Sequence, residues 1–216
     1  MNVTVIGAGN MGRGIGHRLV LGGHSVTLVD QNPEAAESLA AELRGVARHG
    51  ATVKTASLEN PVLGDVVVLA VYYGVNLELA RQLGEKLAGK VVVDIANPLN
   101  ASFDNLATAP GSSSAEEVAR VLPGGAKVVK AFNTTFAGTL VAGQVGGKQL
   151  DVFIAGDDEA AKQTVATLVS DGGLEPVDVG ALDRARQLEG LGLLGITLQF
   201  KLNTGFTTGW NLTRNN

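Results

Sequence analysis

The stretch VIGAGNMGRGIG, residues 5–16, holds five glycines in twelve residues and one long charged side chain, Arg13. Glycine inside a helix or strand costs about 0.5–1 kcal/mol relative to alanine, so a chain that concentrates it needs something only bare backbone provides. Gly7, Gly9 and Gly12 fall in the spacing G-x-G-x-x-G. Before them, NVTVI (2–6) is β-branched and reads as a strand buried on both faces; after them, Met11, Ile15, Leu19 and Val20 recur at helical spacing. A glycine turn at such a junction allows a tight bend, a close approach of main chain to ligand and a close helix–strand contact. The free N–H groups and positive end of the helix then suit a pyrophosphate. Gly7, Ala8, Gly9, Asn10, Met11 and Gly12 are therefore the expected diphosphate cradle.

The next strand, HSVTLVD (24–30), ends in Asp30, placed where the dinucleotide fingerprint carries an acid. A carboxylate there accepts hydrogen bonds from the adenosine ribose and repels a 2′-phosphate. Gln31, a further expected cofactor contact, and Asn32 follow it, and neither is an arginine, which favours NAD. Arg13 and Arg44 remain as cations that reach a phosphate, and helix capping is the alternative role for Asp30.

Outward from this unit the alternation continues. A helix opens at Pro33 with Asn32 as its cap; strands are expected at 51–57, 65–72, 90–96 and 126–132, with helices at 76–87 and from Ser113 or Ser114, each of which has a glutamate three residues on as a capping box. Strands alternating with helices imply an α/β fold, a Rossmann-type doubly wound parallel sheet covered on both faces. After the glycine-marked stretch GTLVAGQVGGK, a strand (150–156), a helix, a strand (174–180) and a long helix (182–202) form a small C-terminal α/β unit. The expected division is residues 1–147 for the dinucleotide-binding domain and 148–216 for the smaller one. The long helix carries Gly190, Gly192 and Gly195, a cost that close helix packing justifies.

The 216 residues are 45% hydrophobic and 18% charged, with a formal charge of -4 and no cysteine. These values fit a globular core and exclude disulfides and thiolate chemistry. No lysine–arginine track marks a nucleic acid partner, and no apolar stretch is long enough to span a membrane. With no leader pattern at the start, a cytoplasmic location is expected. No metal-ligand pattern is read.

Ligands of open α/β sheets sit at the carboxyl ends of the strands. Val71 and Tyr72, Asn97 and Pro98, and Asn133 and Thr134 are the residues expected there beside a nicotinamide. None of His17, His24 and His49 falls at such an end, and Lys130 within its strand reads as structural. Asn and Thr orient a flat ring but are poor acids and bases, so no catalytic acid or base is expected and hydride exchange by alignment is.

The ordered segments VTVIGAGNMGRGIGHRLVLGGHSV, VVVDIANPLN, SSSAEEVARVLPGGAKVVKAFNTTFAGTL, FIAGDDEAAK and RARQLEGLGLL resemble the NADPH-dependent deazaflavin (coenzyme F-420) reductase family, and are similar to the reductase domain of the STEAP metalloreductases. The resemblance implies a nicotinamide across the carboxyl edge, a deazaflavin or flavin as second substrate, and a homodimer, here expected through the C-terminal helix. It favours NADP, whereas Asp30 favours NAD: family members that use NADP typically carry a small hydroxyl residue and an arginine after the second strand. A quinone or metal chelate as acceptor, and a non-catalytic dinucleotide sensor, are the alternatives. Hydroxyacid dehydrogenases and pyrroline-carboxylate reductases share the fingerprint but need a longer helical domain than the chain after Gly147 allows.

Overall fold

The computed structural model describes residues 1–213. One strand, β1 (Asn2–Ile6), runs into the glycine turn and α1 (Asn10–Leu21). The chain then forms β2 (Ser25–Val29), α2 (Pro33–Val46) and β3 (Val53–Ala56), and crosses back for β4 (Val66–Leu69), α3 (Tyr73–Leu83) and β5 (Val91–Asp94). Next come α4 (Ser114–Val121), β6 (Lys127–Lys130), α5 (Ala137–Ala142), a two-stranded hairpin of β7 (Gln144–Val145) and β8 (Lys148–Gln149), β9 (Asp151–Gly156), α6 (Glu159–Asp171), β10 (Glu175–Gly180) and α7 (Ala185–Leu202). The main sheet has the order β10-β9-β6-β5-β4-β1-β2-β3. Strands β1 to β6 are mutually parallel, β9 runs antiparallel to β6, and β10 is parallel to β9. This is the doubly wound arrangement read from the sequence, extended by two strands.

The valine-rich runs bury both faces by simple alternation. Val66 and Val68 of β4 join the core beneath α1, α2 and α6, while Val67 and Leu69 join the one beneath α3 and α4. Burying each such side chain contributes about 1.5–3 kcal/mol. The chain order reverses between β1 and β4, so a crevice opens there beyond the strand ends. Ala70 donates its N–H to the Ile6 carbonyl at 2.8 Å, which holds the two strands together at that point.

Several expected bounds shift. β4 stops at Leu69, so Val71 and Tyr72 lie in the turn to α3 instead of ending the strand; the helix expected from residue 76 already starts at Tyr73. Its last turn tightens into a 3₁₀ segment, Gly84–Leu87, where Gly84 takes φ +44°. The glycine-marked stretch contains α5 and the hairpin, neither of them expected. A six-residue helix is too short for periodicity to reveal, and α5 ends where Gly143 turns left-handed at φ +74°. The residue 147/148 division falls in the β7–β8 turn. Chain from both sides of it shares one sheet and one core, since Leu150, Val152, Ile154 and Val165 pack with Val93 and Val129. Among the described residues no helix is long and apolar enough to cross a membrane.

Candidate functional site

The glycine turn is built from three glycines with three different reasons. Gly7 holds φ +112°, and a side chain on it would overlap the Ala70 carbonyl of the neighbouring strand end. At Gly12 a Cβ would overlap the Gly7 carbonyl, so the first turn of α1 seats directly on the bend. A Cβ at Gly9 would meet nothing within 4 Å. Its absence therefore keeps the crevice open. Gly9 also occupies the N-cap of α1 without a side-chain cap, and no acid stands in the first helical turn. The N–H groups at the start of the helix are left for a ligand, the arrangement that holds a diphosphate. Two further glycines of the stretch serve packing: Gly14 faces Leu140 of α5 and Gly16 faces Leu43 of α2.

Asp30 bridges two turns. One oxygen accepts from Ala8 N at 2.7 Å and the other from Asn32 N at 2.8 Å, so its carboxylate is fixed beside the glycine turn. Capping of α2 falls to Asn32, whose side chain accepts from Glu34 N and Ala35 N. The Arg13 Nε binds both oxygens of Glu42, at 2.7 and 2.9 Å, and Arg44 donates to Glu37 at 2.6 Å and to the Val53 carbonyl at 3.1 Å. Gln31 is exposed.

On the other half of the carboxyl edge, Asn97 and Asn133 form a reciprocal pair. Asn97 Nδ2 donates to the Asn133 carbonyl at 2.7 Å, and Asn133 Nδ2 donates to Asn97 Oδ1 at 2.9 Å and to the Leu188 carbonyl at 2.8 Å. A backbone carbonyl only accepts, so the Asn133 nitrogen must face Leu188 and its Oδ1 is left buried without a partner among the described residues. Pro98 and Thr134 are buried beside this pair, and Phe132 takes the strained value φ +62° where β6 turns into the loop. Tyr72 stands 86% exposed after β4 and Val71 is half-buried. Tyr73 turns away and donates to Glu117 at 2.5 Å; burial first and Glu117 second push its phenol up to about 12.

The histidines lie elsewhere. His17 bonds Glu42 at 2.5 Å between α1 and α2, and His24 sits between the N-terminal amine and Asp171. Lys130, read as merely structural, is the centre of a fully buried charge cluster. Its Nζ donates to Asp94 Oδ2 at 3.1 Å, to Glu189 Oε1 at 2.7 Å and to the Ala96 carbonyl. Burial pushes the Glu189 carboxyl up, and Lys130 pulls it back.

Residues 2–98 match the family profile described as NADP oxidoreductase, coenzyme F420-dependent. An F420-dependent NADP reductase of Methanocaldococcus jannaschii is 30% identical over 213 residues, covering 93% of this chain and 94% of the relative. The chain belongs to the F420-dependent NADP oxidoreductase family. A solved Arthrobacter sp. FB24 protein, provisionally described as an F420-dependent NADP reductase, superposes with a TM-score of 0.81 at 32% identity over 99% of this chain and 100% of that one. Rat metalloreductase STEAP3 is 34% identical over 191 residues. The chain covers 88% of itself but only 36% of that longer relative, about a third of its length.

Within this oxidoreductase family the expected site residues come together in two groups. Gly7 to Gly12 and Asp30 lie beyond the ends of β1 and β2; Asn97, Pro98, Asn133 and Thr134 lie beyond the ends of β5 and β6. The open space at Gly9, the uncapped helix start and the orphaned Asn133 Oδ1 fit a ligand with a diphosphate at one end and an N–H donor at the other. Sequence reading misses Asp94 and Glu189, because a cluster closed by folding leaves no local pattern: Glu189 lies 59 residues beyond Lys130.

Proposed function

We propose that this chain transfers a hydride between NADH and a deazaflavin-class acceptor, its glycine turn holding the diphosphate and the Asn97–Asn133 pair orienting the nicotinamide. The nucleotide supplies the electron pair; the protein supplies alignment, and the proton that balances the reduced acceptor comes from solvent. The carrying observation is that an uncapped helix start and a buried amide oxygen without a partner lie along one carboxyl edge. Family membership supports F420 as the acceptor.

The choice of NADH rests on charge. Asp30 is fixed by two backbone N–H groups, and Arg13 and Arg44 each pair with a glutamate on the surface. A 2′-phosphate beside that carboxylate meets like charge, and such a juxtaposition costs several kcal/mol. The test is titration with NADH and NADPH side by side, followed by stopped-flow mixing with F420. NADH should bind at least about tenfold tighter, a difference of about 1.4 kcal/mol. Equal affinities, or preference for NADPH, would overturn this choice; dinucleotide binding without hydride transfer to F420, flavin or quinone would overturn the reaction.

The outward side of α7 leaves Leu194, Phe200 and Leu202 exposed, and a homodimer formed through it is part of the same reading. Sedimentation of the wild type as a dimer and of Leu194→Asp as a monomer is the expected result.

A further inference from the structure

We propose that Glu189, Lys130 and Asp94 are positioning residues for hydride transfer, setting the orientation of the Asn97 and Asn133 amides from beneath the sheet edge. The inference rests on the reading that this edge receives the nicotinamide. None of the three touches that space; all three are fully buried.

Two hydrogen bonds of the cluster end on the peptide before Asn97, and Glu189 adjoins the residue whose carbonyl holds Asn133. Asp94 Oδ1 accepts from Ala96 N at 2.9 Å and from Asn76 Nδ2 at 2.7 Å, while Lys130 donates to the Ala96 carbonyl. Both polar groups of the residue before Asn97 are thereby fixed. On the far side Lys130 grips Glu189, whose other oxygen accepts from Ser114 N at 3.2 Å, at the start of α4. Leu188, next to Glu189, presents the carbonyl that turns Asn133 Nδ2 inward. One turn along α7, a side chain at Gly192 would overlap the Asn97 amide, so the helix rests directly on the pair.

The ammonium has three donors and three acceptors, and both glutamate oxygens are used. Buried ions are expensive and an apolar filling would serve stability as well or better. What the ions supply is direction, because each fixes one atom of one peptide. On this reading Asn133 Oδ1, which has no partner among the described residues, is the acceptor for the carboxamide N–H of a nicotinamide.

Glu189→Gln tests this, since a glutamine offers one acceptor where two donors must be met. Three probes are bound by calorimetry: ADP-ribose, NAD+, and the 3-acetylpyridine analogue of NAD+, whose methyl ketone lacks the N–H donor. The wild type should bind NAD+ about tenfold tighter than the analogue, the size of one net hydrogen bond. In Glu189→Gln that ratio should fall to within about twofold and single-turnover hydride transfer should slow about tenfold, with ADP-ribose affinity unchanged. A variant that keeps both the discrimination and the transfer rate overturns the proposal. Should Glu189→Gln lose ADP-ribose binding, and hence its fold, the triple replacement Asp94→Asn, Lys130→Met and Glu189→Leu removes all three charges together and is held to the same two ratios. A wild type that binds ADP-ribose yet neither discriminates nor transfers hydride overturns the nicotinamide reading of the edge, and this inference with it.

Discussion

The glycines of the first turn separate binding from folding residue by residue. Gly9→Ala places a methyl group in open space, so thermal stability should stay within about 0.5 kcal/mol of wild type, as for a surface change, while NADH affinity falls about tenfold or more. Gly12→Ala drives its methyl group into the Gly7 carbonyl, and overpacking of that kind costs about 1–3 kcal/mol, so melting temperature and affinity should fall together. Calorimetric melting and an NADH titration on both variants decide the matter; equal stability losses would refute the division. Asp30 carries a second expectation at this scale. Asp30→Asn loses the charge and turns an NH2 group toward a backbone N–H, which disturbs both nucleotides alike. The ratio of NADPH to NADH affinity isolates the charge and should rise about tenfold. Asn133→Ala removes the oriented amide, and hydride transfer should drop while kcat/KM shows no bell-shaped pH dependence before or after. A bell in the wild type that vanishes with one side chain would contradict this. The glycines and Asp30 are readable without coordinates because they fall at fixed spacings around one strand–turn–helix junction. Lys130 is not, for KVVK describes any buried strand and its partners arrive from β5 and α7.

Among elements, legibility follows length and local chemistry. β1, β2 and α1 stand where the β-branched runs and the 3.6-residue spacing place them, to within a residue or so, whereas α5 and the hairpin are too short to leave a period. The start of α4 shows local chemistry offering two answers and tertiary contact choosing one. Ser113 caps the helix, accepting from Glu116 N at 3.2 Å, because the Ser114 N–H is already taken by Glu189. Ser113→Ala should therefore cost about 1 kcal/mol of unfolding free energy and Ser114→Ala much less. Glu116 also receives Arg186 from α7, at 2.8 and 2.5 Å, and this pairing holds its carboxyl below the usual carboxylate range. A carboxyl depressed in the folded state contributes stability above its unfolded value, about 4.3, and loses it as pH falls through the folded value. Wild type should thus melt above Glu116→Gln at pH 7, with the gap closing on acidification through that window. A gap independent of pH would remove the ion pair from the account.

For the whole molecule, the question is whether the chain after residue 147 is an accessory or part of the frame. β9 pairs with β6 at Val129–Gly156 and Lys130–Ala155, next to the buried cluster, and Arg18 of α1 donates to the Gly172 carbonyl at 3.2 Å and to the Val141 carbonyl. The tail returns as well: Asp151 accepts from Asn211 Nδ2 at 3.1 Å and from Leu212 N at 2.5 Å, and Trp210 lies over Gly195. Of the tail residues 203–216, the last three lie outside the described part. A fragment ending at residue 147 would expose β6 as a sheet edge and strip Val152, Ile154, Val165 and Leu168 from the common core. At about 1.5–3 kcal/mol each, those four side chains alone approach the about 5–15 kcal/mol that holds a typical domain together. It would also remove Glu189 and leave Lys130 and Asp94 against an open face. The full chain should therefore unfold in one calorimetric transition, and the fragment should lack both a cooperative transition and near-ultraviolet circular dichroism while losing NADH binding. A fragment that melts cooperatively and binds NADH would make the first half a self-sufficient nucleotide domain and reduce the second to an appendage.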